Sequence, residues 1–205
     1  KAIVVGAGIA GIATAIRLSL KGFEVEVHEK NTVAGGKMYL IEKAGYKFDA
    51  GPSLFTQPAN IEELFTLAGE DIKNYFQYDS LSLACRYFFE NGKQVNAYTS
   101  AEAFANEMEE KLGEPKTHVL RYLRNAEKVY EEVGQIFLNF SLHKAATWLH
   151  PRVLRALSTV KFSYLFNTLN EFNYRSFSTP EAVQIFNRFA TYNGSNPFSA
   201  PGMLS

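Results

Sequence analysis

The chain has 205 residues, which is enough for one large domain or two small ones. Its 21 Lys and Arg residues balance its 21 Asp and Glu residues, so the charge excludes a strongly basic nucleic-acid binder. Cys85 is the only cysteine, which excludes a disulfide framework and favours a reducing compartment. A lone cysteine of this kind is expected to be a small buried apolar side chain. With four histidines that show no metal-ligand spacing, it also argues against a metal site.

The first thirty residues follow a strand–helix–strand pattern. An apolar run predicts a strand over Ala2–Val5, an Ala-, Ile- and Leu-rich stretch predicts a helix over Ile9–Leu20, and a second β-like run covers residues 24–28. The apolar stretch of residues 2–16 is too short and too rich in glycine to span a bilayer, and no other segment is long enough. The pattern predicts an α/β fold that begins with a βαβ unit.

The turn between the first strand and the helix carries a Gly-x-Gly-x-x-Gly motif. Gly6 permits a tight turn, Gly8 lets backbone N–H groups approach a pyrophosphate, and Gly11 lets the helix pack close to the strand. Glu29 follows the second strand, where a carboxylate accepts hydrogen bonds from ribose hydroxyls and favours FAD or NAD over NADP. A buried βαβ unit with chance glycines would leave Glu29 unexplained. The motif therefore predicts a Rossmann-like dinucleotide site.

The remaining elements are hairpins and helices. In chain order we first expect a loop over residues 31–37, a hairpin of residues 38–43 and 46–48, and a helix of residues 60–67 capped by Asn60. A second hairpin of residues 81–89 and 94–98, which turns at Asn91-Gly92, precedes a helix from Ser100 to Gly113. The next helix is expected over residues 115–140, with an apolar face formed by Leu120, Leu123, Val129, Val133 and Phe137. The rest is helical and interrupted at Pro151 and Pro180. We place a domain boundary near Tyr75, which gives domains of residues 1–75 and 76–205.

Two further segments carry a family resemblance. The loop Gly35-Gly36-Lys37 and the segment Phe48-Asp-Ala-Gly-Pro-Ser53 follow Glu29, and a later segment reads Phe189-Ala-Thr-Tyr-Asn-Gly-Ser-Asn-Pro-Phe-Ser-Ala-Pro201. Together they resemble the FAD-dependent amine oxidase and phytoene desaturase superfamily, and in particular its bacterial carotenoid desaturase branch. From the residues alone, Gly35-Gly36 either lets the backbone pass close to a ligand or forms an ordinary flexible turn, and Lys37 either neutralises a phosphate or is a surface lysine.

The resemblance implies FAD as the cofactor and an α+β substrate domain rich in helices after the FAD-binding unit. The residues expected to bind FAD are Gly6, Gly8, Ile9, Ala10, Gly11, Glu29, Lys30, Gly35, Gly36, Lys37, Gly51, Pro52 and Ser53. Phe189, Thr191 and Tyr192 are expected to line a tunnel for an apolar substrate. We identify no catalytic side chain, because the cofactor carries the hard step in such chemistry.

The implied activity is that of an oxidoreductase that removes hydrogens from a long polyene by hydride transfer to the flavin. The substrate is phytoene and its partly desaturated products, or a 1-hydroxycarotenoid at its 3,4 bond, and Ser53-Leu-Phe55 favours the second. Two alternatives stay open: an amine oxidase-type flavoenzyme with a polar substrate, and a non-catalytic isoprenoid carrier. A NAD-linked dehydrogenase would leave Gly35-Gly36 without a role.

The family is implied to be longer than this chain. We therefore expect an N-terminal portion, with an open apolar edge on its parallel sheet, weak or no FAD binding and no activity alone. No signal peptide is visible, and Lys1 is not a natural first residue, so at least one residue is expected to precede it.

A basic amphipathic stretch follows Val133, with no acidic residue before Asn170. It carries the cations Lys144, Arg152, Arg155 and Lys161 and the apolar residues Leu154, Leu157, Val160, Phe162, Leu165, Phe166 and Leu169. Such a stretch lies on an anionic membrane surface or forms a core helix pair with a solvated edge. We expect a cytoplasmic protein that is peripheral to the membrane, where an apolar polyene dissolves, and that binds no nucleic acid.

Overall fold

The chain divides into two compact units, Lys1–Asp79 and Ser80–Ser205. A computed structural model describes residues 1–52, 55–134, 136, 140–141, 143–159 and 166–202. The FAD-binding role expected for residues 1–75 and the substrate-binding role expected for residues 76–205 stay predictions.

The first unit is built on a βαβ arrangement. Its elements are β1 (Ala2–Val5), α1 (Ile9–Leu20), β2 (Val25–His28), β3 (Leu40–Lys43), β4 (Tyr46–Asp49), α2 (Ala59–Ala68) and a 3-10 helix (Ile72–Asn74). β1 and β2 are parallel neighbours joined through α1, and they pair from Ala2 with Val25 to Val5 with His28. β3 and β4 form an antiparallel hairpin. The predicted bounds of β1 and α1 agree with the structure, because a short apolar run and a helix-forming run are separated there by glycines.

The sheet of the first unit presents apolar side chains to solvent. Among the described residues of this unit, only Val4, Ala7 and Leu64 are buried apolar residues. Ile3 and Val5 on β1 are 63% and 86% exposed. Parallel strands normally have both faces covered, so this two-stranded sheet presents an open apolar face, whereas the resemblance implied an open edge.

The second unit is an antiparallel hairpin packed with helices. Its elements are β5 (Leu83–Phe88), β6 (Gln94–Tyr98), α3 (Ala101–Leu112), α4 (Lys116–Val129), a π-helical turn (Tyr130–Gly134), α5 (Ala145–Trp148), α6 (Pro151–Thr159), α7 (Leu169–Ser176), α8 (Pro180–Asn187) and a 3-10 helix (Arg188–Asn193). α3 begins where predicted, with the Ser100 hydroxyl oxygen accepting a hydrogen bond from the Ala103 N–H, and ends at Gly113 in the left-handed conformation.

Aromatic rings form the centre of the second unit. Phe177 and Phe186 stack with their ring centroids 4.4 Å apart, and the Tyr122 ring lies 4.5 Å from that of Phe186. Met108 on α3 and Val119 on α4 are fully buried in the same cluster. Large rings of this kind bury much apolar area for few rotatable bonds, so this unit has a core of its own.

A buried carboxylate joins the α3–α4 connection to the start of α8. Glu114 is fully buried, and its carboxylate accepts hydrogen bonds from the Ser178 N–H, the Thr179 N–H and the Thr179 hydroxyl at 2.8, 2.8 and 2.9 Å. The His118 ring lies 3.0 Å from the same carboxylate. Glu114 thus supplies the acceptor that the first N–H groups next to a helix require.

The predicted cap of α2 is wrong. The helix begins at Ala59, so Asn60 lies inside its first turn, and the Asn60 amide donates a hydrogen bond to the Gln57 side chain. Pro58, with φ of −56°, occupies the N-cap position. Proline suits the start of a helix because it has no N–H group to satisfy and its φ is fixed near the helical value.

The predicted long helix over residues 115–140 is interrupted by a π-helical turn, and residues 135 and 137–139 of its last part lie outside the described residues. α4 ends at Val129 and a π-helical turn follows over Tyr130–Gly134. A Cβ at Gly134 would lie 3.0 Å from the Tyr130 ring, so the missing side chain leaves room for the ring in this turn. Val133 is buried as predicted, whereas Phe137 lies outside the described residues.

Candidate cofactor site

The first turn of the chain has the geometry of a phosphate-binding loop. Gly6 has φ of +97°, a conformation that L side chains rarely adopt, and its N–H donates to the His28 carbonyl at the end of β2 at 2.7 Å. Gly8 is the N-cap of α1; no described side chain caps the helix, and its first turn carries no acidic residue. The N-terminal N–H groups and the positive end of the helix dipole are therefore available to an anion.

Gly11 lets α1 approach the turn. A Cβ at this position would lie 1.9 Å from the Gly6 carbonyl oxygen, far inside any real contact. A Cβ at Gly8 would instead meet only the Gly36 Cα, at 3.8 Å, which is ordinary van der Waals contact. Gly11 is thus required by the fold, whereas the structure without a ligand does not require Gly8, which fits a role in close approach of a pyrophosphate.

A second glycine loop lies against the first. The Gly35 N–H donates to the Ala7 carbonyl at 2.8 Å, and Gly35 forms an isolated parallel bridge with Gly8. Gly36, with φ of +63°, comes so close that a Cβ there would lie 3.0 Å from the Gly8 Cα. Residues separated by almost thirty positions therefore meet at one point, and the sequence resemblance alone gave no reason for this contact.

The Glu29 carboxylate lies beside the phosphate-binding turn. One carboxylate oxygen accepts from the Ala7 N–H at 2.7 Å, and the other accepts from the Asn31 N–H and the Asn31 amide, both at 2.9 Å. The Asn31 and Ala7 N–H groups hold the pKa of Glu29 below its ordinary value, so the side chain is an anion at neutral pH. Sequence reasoning missed Ala7 and Asn31 as its partners.

The segment after β4 packs closely against the second glycine loop. A Cβ at Gly51 would lie 2.3 Å from the Lys37 carbonyl oxygen, so this contact requires glycine. Lys30 and Lys37 are exposed and flank the same loops along the chain, and Pro52 follows Gly51. Ile9 and Ala10 are exposed at the first turn of α1. Ser53 lies outside the described residues.

The three predicted substrate residues lie in the second unit. Phe189 and Tyr192 line a cavity of about 460 Å³, which Cys85 also lines. Thr191 does not line it, and its hydroxyl donates to the Arg188 carbonyl at 2.7 Å. Cys85 was predicted to be buried, but it is partly exposed, because its side of β5 lines this cavity.

The βαβ unit, the two touching glycine loops and the ionised Glu29 define a dinucleotide-binding protein of the Rossmann-like class. The chain belongs to the family of flavin containing amine oxidoreductases, whose profile matches residues 9–202. This membership confirms the predicted superfamily and fold class, and with them FAD as the cofactor. The glycine cradle, the uncapped helix and the placed carboxylate all fit that cofactor.

Two curated relatives match the whole chain. It is 44% identical over 205 residues to the 1-hydroxycarotenoid 3,4-desaturase of Flavobacterium sp. (strain P99-3), of which it covers 42%. It is 33% identical over 207 residues to the 4,4'-diapolycopene oxygenase of Methylomonas sp, of which it covers 41%. The chain therefore spans about two fifths of the length of the curated relatives it matches.

Solved structures show the same fold at low sequence identity. A mutant of putrescine oxidase superposes with a TM-score of 0.56 at 16% identity, over 100% of this chain and 40% of that one. Wild-type putrescine oxidase bound to putrescine gives a TM-score of 0.54 at 16% identity, over 99% of this chain and 40% of that one. These two likenesses concern the fold alone.

Proposed function

We propose that the protein is an FAD-dependent carotenoid desaturase, and that residues 1–52 hold the pyrophosphate and ribose of FAD. The 44% identity to a 1-hydroxycarotenoid 3,4-desaturase over the whole chain is the observation that carries the choice of substrate class. The names of the two curated relatives specify carotenoids, whereas putrescine oxidase is only 16% identical to this chain. A polyene is therefore favoured over an amine.

Each part of the cofactor site has a physical role in this proposal. The N–H groups at the start of α1 would donate to the pyrophosphate, and Glu29 would accept from the ribose hydroxyls. Lys30 and Lys37 are exposed cations that would reduce the negative potential of the phosphates, and Pro52 would follow Gly51 along the cofactor. When bound, FAD supplies a two-electron acceptor for the hydride that leaves the polyene.

The substrate is proposed to contact Phe189, Thr191 and Tyr192. Phe189 and Tyr192 already face a cavity, which supports their part of the proposal, while the Thr191 side chain is turned to its own backbone. An apolar wall excludes water from a bound polyene. Hydride removal itself needs no general base, and the second hydrogen then leaves the adjacent carbon as a proton, which passes to solvent.

The test is a desaturation assay with the whole protein. Reconstitution with FAD and a 1-hydroxycarotenoid in detergent or vesicles should lengthen the conjugated system, seen as a red shift of the visible absorption bands and a mass lower by two hydrogens. A matched incubation with an amine should give no oxidation. Amine turnover without any change in the carotenoid would overturn the proposal in favour of an amine oxidase.

We also propose that the protein is cytoplasmic and peripheral to a membrane, which it contacts through α5 and α6. Leu149 and Leu154 are 78% and 54% exposed there, next to the exposed Trp148. In the part of the chain that the structure describes, no helix is long and apolar enough to cross a membrane. Val160, Lys161, Phe162 and Leu165 of the predicted amphipathic stretch lie outside the described residues.

The positive charge of this region is partly compensated. Arg152 and Arg155 line a groove whose other lining residues include Glu131 and Glu132. Membrane binding should therefore depend on the exposed apolar residues more than on anionic lipid. In co-sedimentation with vesicles, Leu149→Asn combined with Leu154→Asn should reduce binding, and replacing phosphatidylcholine by phosphatidylserine should change it little. A strong dependence on phosphatidylserine alone would contradict this mode of binding.

A further inference from the structure

The cavity of the second unit is large enough for part of a ligand and is not uniformly apolar. Its volume of about 460 Å³ lies within the usual range of small-molecule sites. Phe104, Leu120, Leu123 and Ile185 contribute apolar lining from α3, α4 and α8. A polar cluster of Tyr87, Arg188 and Tyr192 lies on the side formed by β5 and the last 3-10 helix.

Arg188 is the centre of that cluster. Its guanidinium carbon lies 5.7 Å from the centroid of the Tyr87 ring and 5.8 Å from that of Tyr192. One of its N–H groups donates to the Tyr87 hydroxyl at a long 3.4 Å. Among the residues that the structure describes, no carboxylate forms an ion pair with Arg188. Several of its five N–H donors are thus available to a ligand in the cavity.

Tyr87 offers a neutral hydroxyl beside this cation. Burial, together with the neighbouring Cys85 thiol, raises the pKa of Tyr87 to about 12, so the phenol keeps its proton at neutral pH. A hydrocarbon placed against this side of the cavity would remove water from Arg188 and Tyr87 without replacing its hydrogen bonds, which is unfavourable. A ligand that ends in an oxygen would satisfy them.

The charged residues that line the cavity balance in number, which fits a ligand with a neutral oxygen. Arg124 and Arg188 are offset by Glu102 and Glu127, and Glu102 also pairs with Lys116 at 3.1 Å. A hydroxyl group can accept from Arg188 and donate to a neighbouring acceptor without carrying charge into an apolar space.

We propose that this cavity binds the hydroxyl-bearing end of a long polyene, with Arg188 and Tyr87 as the groups that select a hydroxylated end over a hydrocarbon end. The proposal rests on the proposed function for the polyene part of the ligand. It adds a specificity role to the cavity that Phe189 and Tyr192 also line, since Arg188 and Tyr87 would contact the ligand's oxygen and not the carbon that loses hydride.

The test compares two ligands in the whole protein. A 1-hydroxycarotenoid and the hydrocarbon carotenoid of the same chain length are titrated in detergent, with binding followed by the shift of the polyene absorption bands. We expect the wild type to bind the hydroxylated ligand about tenfold more tightly, and Arg188→Met to remove that preference. Tyr87→Phe, which keeps the ring beside Arg188, should reduce the preference to about threefold.

A control variant and the possible outcomes separate this inference from the proposed function. Arg175→Met removes an exposed arginine from α7, outside the cavity, and should leave the preference unchanged. Equal binding of the two ligands by the wild type, or a preference that survives both Arg188→Met and Tyr87→Phe, would overturn the inference. Selective binding that depends on Arg188 would support it even if the protein desaturates neither ligand, a result that would overturn the proposed function alone.

Discussion

Replacing Gly11 by alanine tests the contact on which the cofactor loop is built. An alanine in a helix interior is favoured over glycine by about 1 kcal/mol, so propensity alone predicts a more stable α1. The structure predicts the opposite. The new Cβ would lie 1.9 Å from the Gly6 carbonyl oxygen, although real Cβ contacts are essentially never shorter than 3.0 Å. The backbone of the turn or of α1 would have to move by about 1 Å.

The size of the effect follows from these two opposing contributions. Forced over-packing costs about 1–3 kcal/mol, and a clash between two backbone segments belongs at the upper end of that range. After subtracting the gain in helix propensity, Gly11→Ala should lower the free energy of unfolding of the first unit by about 2 kcal/mol. In a unit of this size, such a loss lowers the thermal midpoint by about 10 °C.

Hydrogen exchange resolves this effect within the first unit. Amides of α1 should exchange about 30-fold faster in Gly11→Ala than in the wild type, since 1.4 kcal/mol corresponds to about tenfold. Gly8→Ala is the matched control, because its Cβ makes only a 3.8 Å contact with the Gly36 Cα. It should change the stability of α1 by less than about 1 kcal/mol. Unchanged or slower exchange of α1 in Gly11→Ala would refute the reasoning.

Three further outcomes follow from the described contacts. In the whole protein, Gly8→Ala should weaken FAD binding at least about tenfold in an absorption titration while leaving the fold intact, because the methyl group occupies the space that a pyrophosphate needs. Glu114→Ala should lower the free energy of unfolding by about 3 kcal/mol in urea, because three donors on Ser178 and Thr179 lose their buried acceptor. The ion pair with Lys93 lowers the pKa of Glu181. The charged Glu181 therefore stabilises the fold above the pKa that it has in the unfolded chain, and this stabilisation disappears as pH falls. The difference in thermal midpoint between the wild type and Glu181→Gln should accordingly shrink from about pH 7 to about pH 3.

Each of these has a result that would count against it. FAD affinity that is unchanged in Gly8→Ala would mean that the pyrophosphate lies elsewhere. A Glu114→Ala variant as stable as the wild type would show that water replaces the carboxylate at the start of α8. A difference for Glu181→Gln that grows toward acid pH would reverse the sign assigned to its pKa.

Local sequence patterns predicted those elements whose signals lie within a few neighbouring residues. The bounds of β1 and α1 follow from an apolar run, three glycines and a helix-forming run. The turn at Asn91-Gly92 and the end of α3 at Gly113 follow from conformations that these residues favour. In contrast, the predicted start of α2 was wrong, because two competing helix-start signals, Pro58 and Asn60, lie two residues apart.

Contacts between distant segments could not be predicted in the same way. The approach of Gly36 to Gly8 and of Gly51 to Lys37 depends on how three loops pack, and each glycine alone looks like an ordinary turn residue. Glu114 looks like a surface acid between Gly113 and Pro115, yet it is fully buried. Its carboxylate oxygens accept hydrogen bonds from residues more than sixty positions later in the chain. Arg188 and Tyr87 meet across about one hundred residues for the same reason.

The β1–β2 sheet exposes apolar side chains beside the cofactor loops. Val5 is 86% exposed in this chain, and parallel strands require cover on both faces. We therefore expect the 205-residue chain to retain less FAD than the whole protein after gel filtration. Equal retention by both would show that the two glycine loops and Glu29 suffice for the cofactor.

The FAD content of the whole protein, compared between the wild type and Glu29→Gln, tests the central claim most directly. Both proteins are saturated with FAD, freed of unbound cofactor and examined by visible absorption. The account predicts a flavin spectrum close to one FAD per chain for the wild type and a clearly lower FAD content for Glu29→Gln, because the variant loses the anionic acceptor beside the phosphate-binding turn. A wild type without flavin, or a variant that retains as much FAD as the wild type, would contradict it.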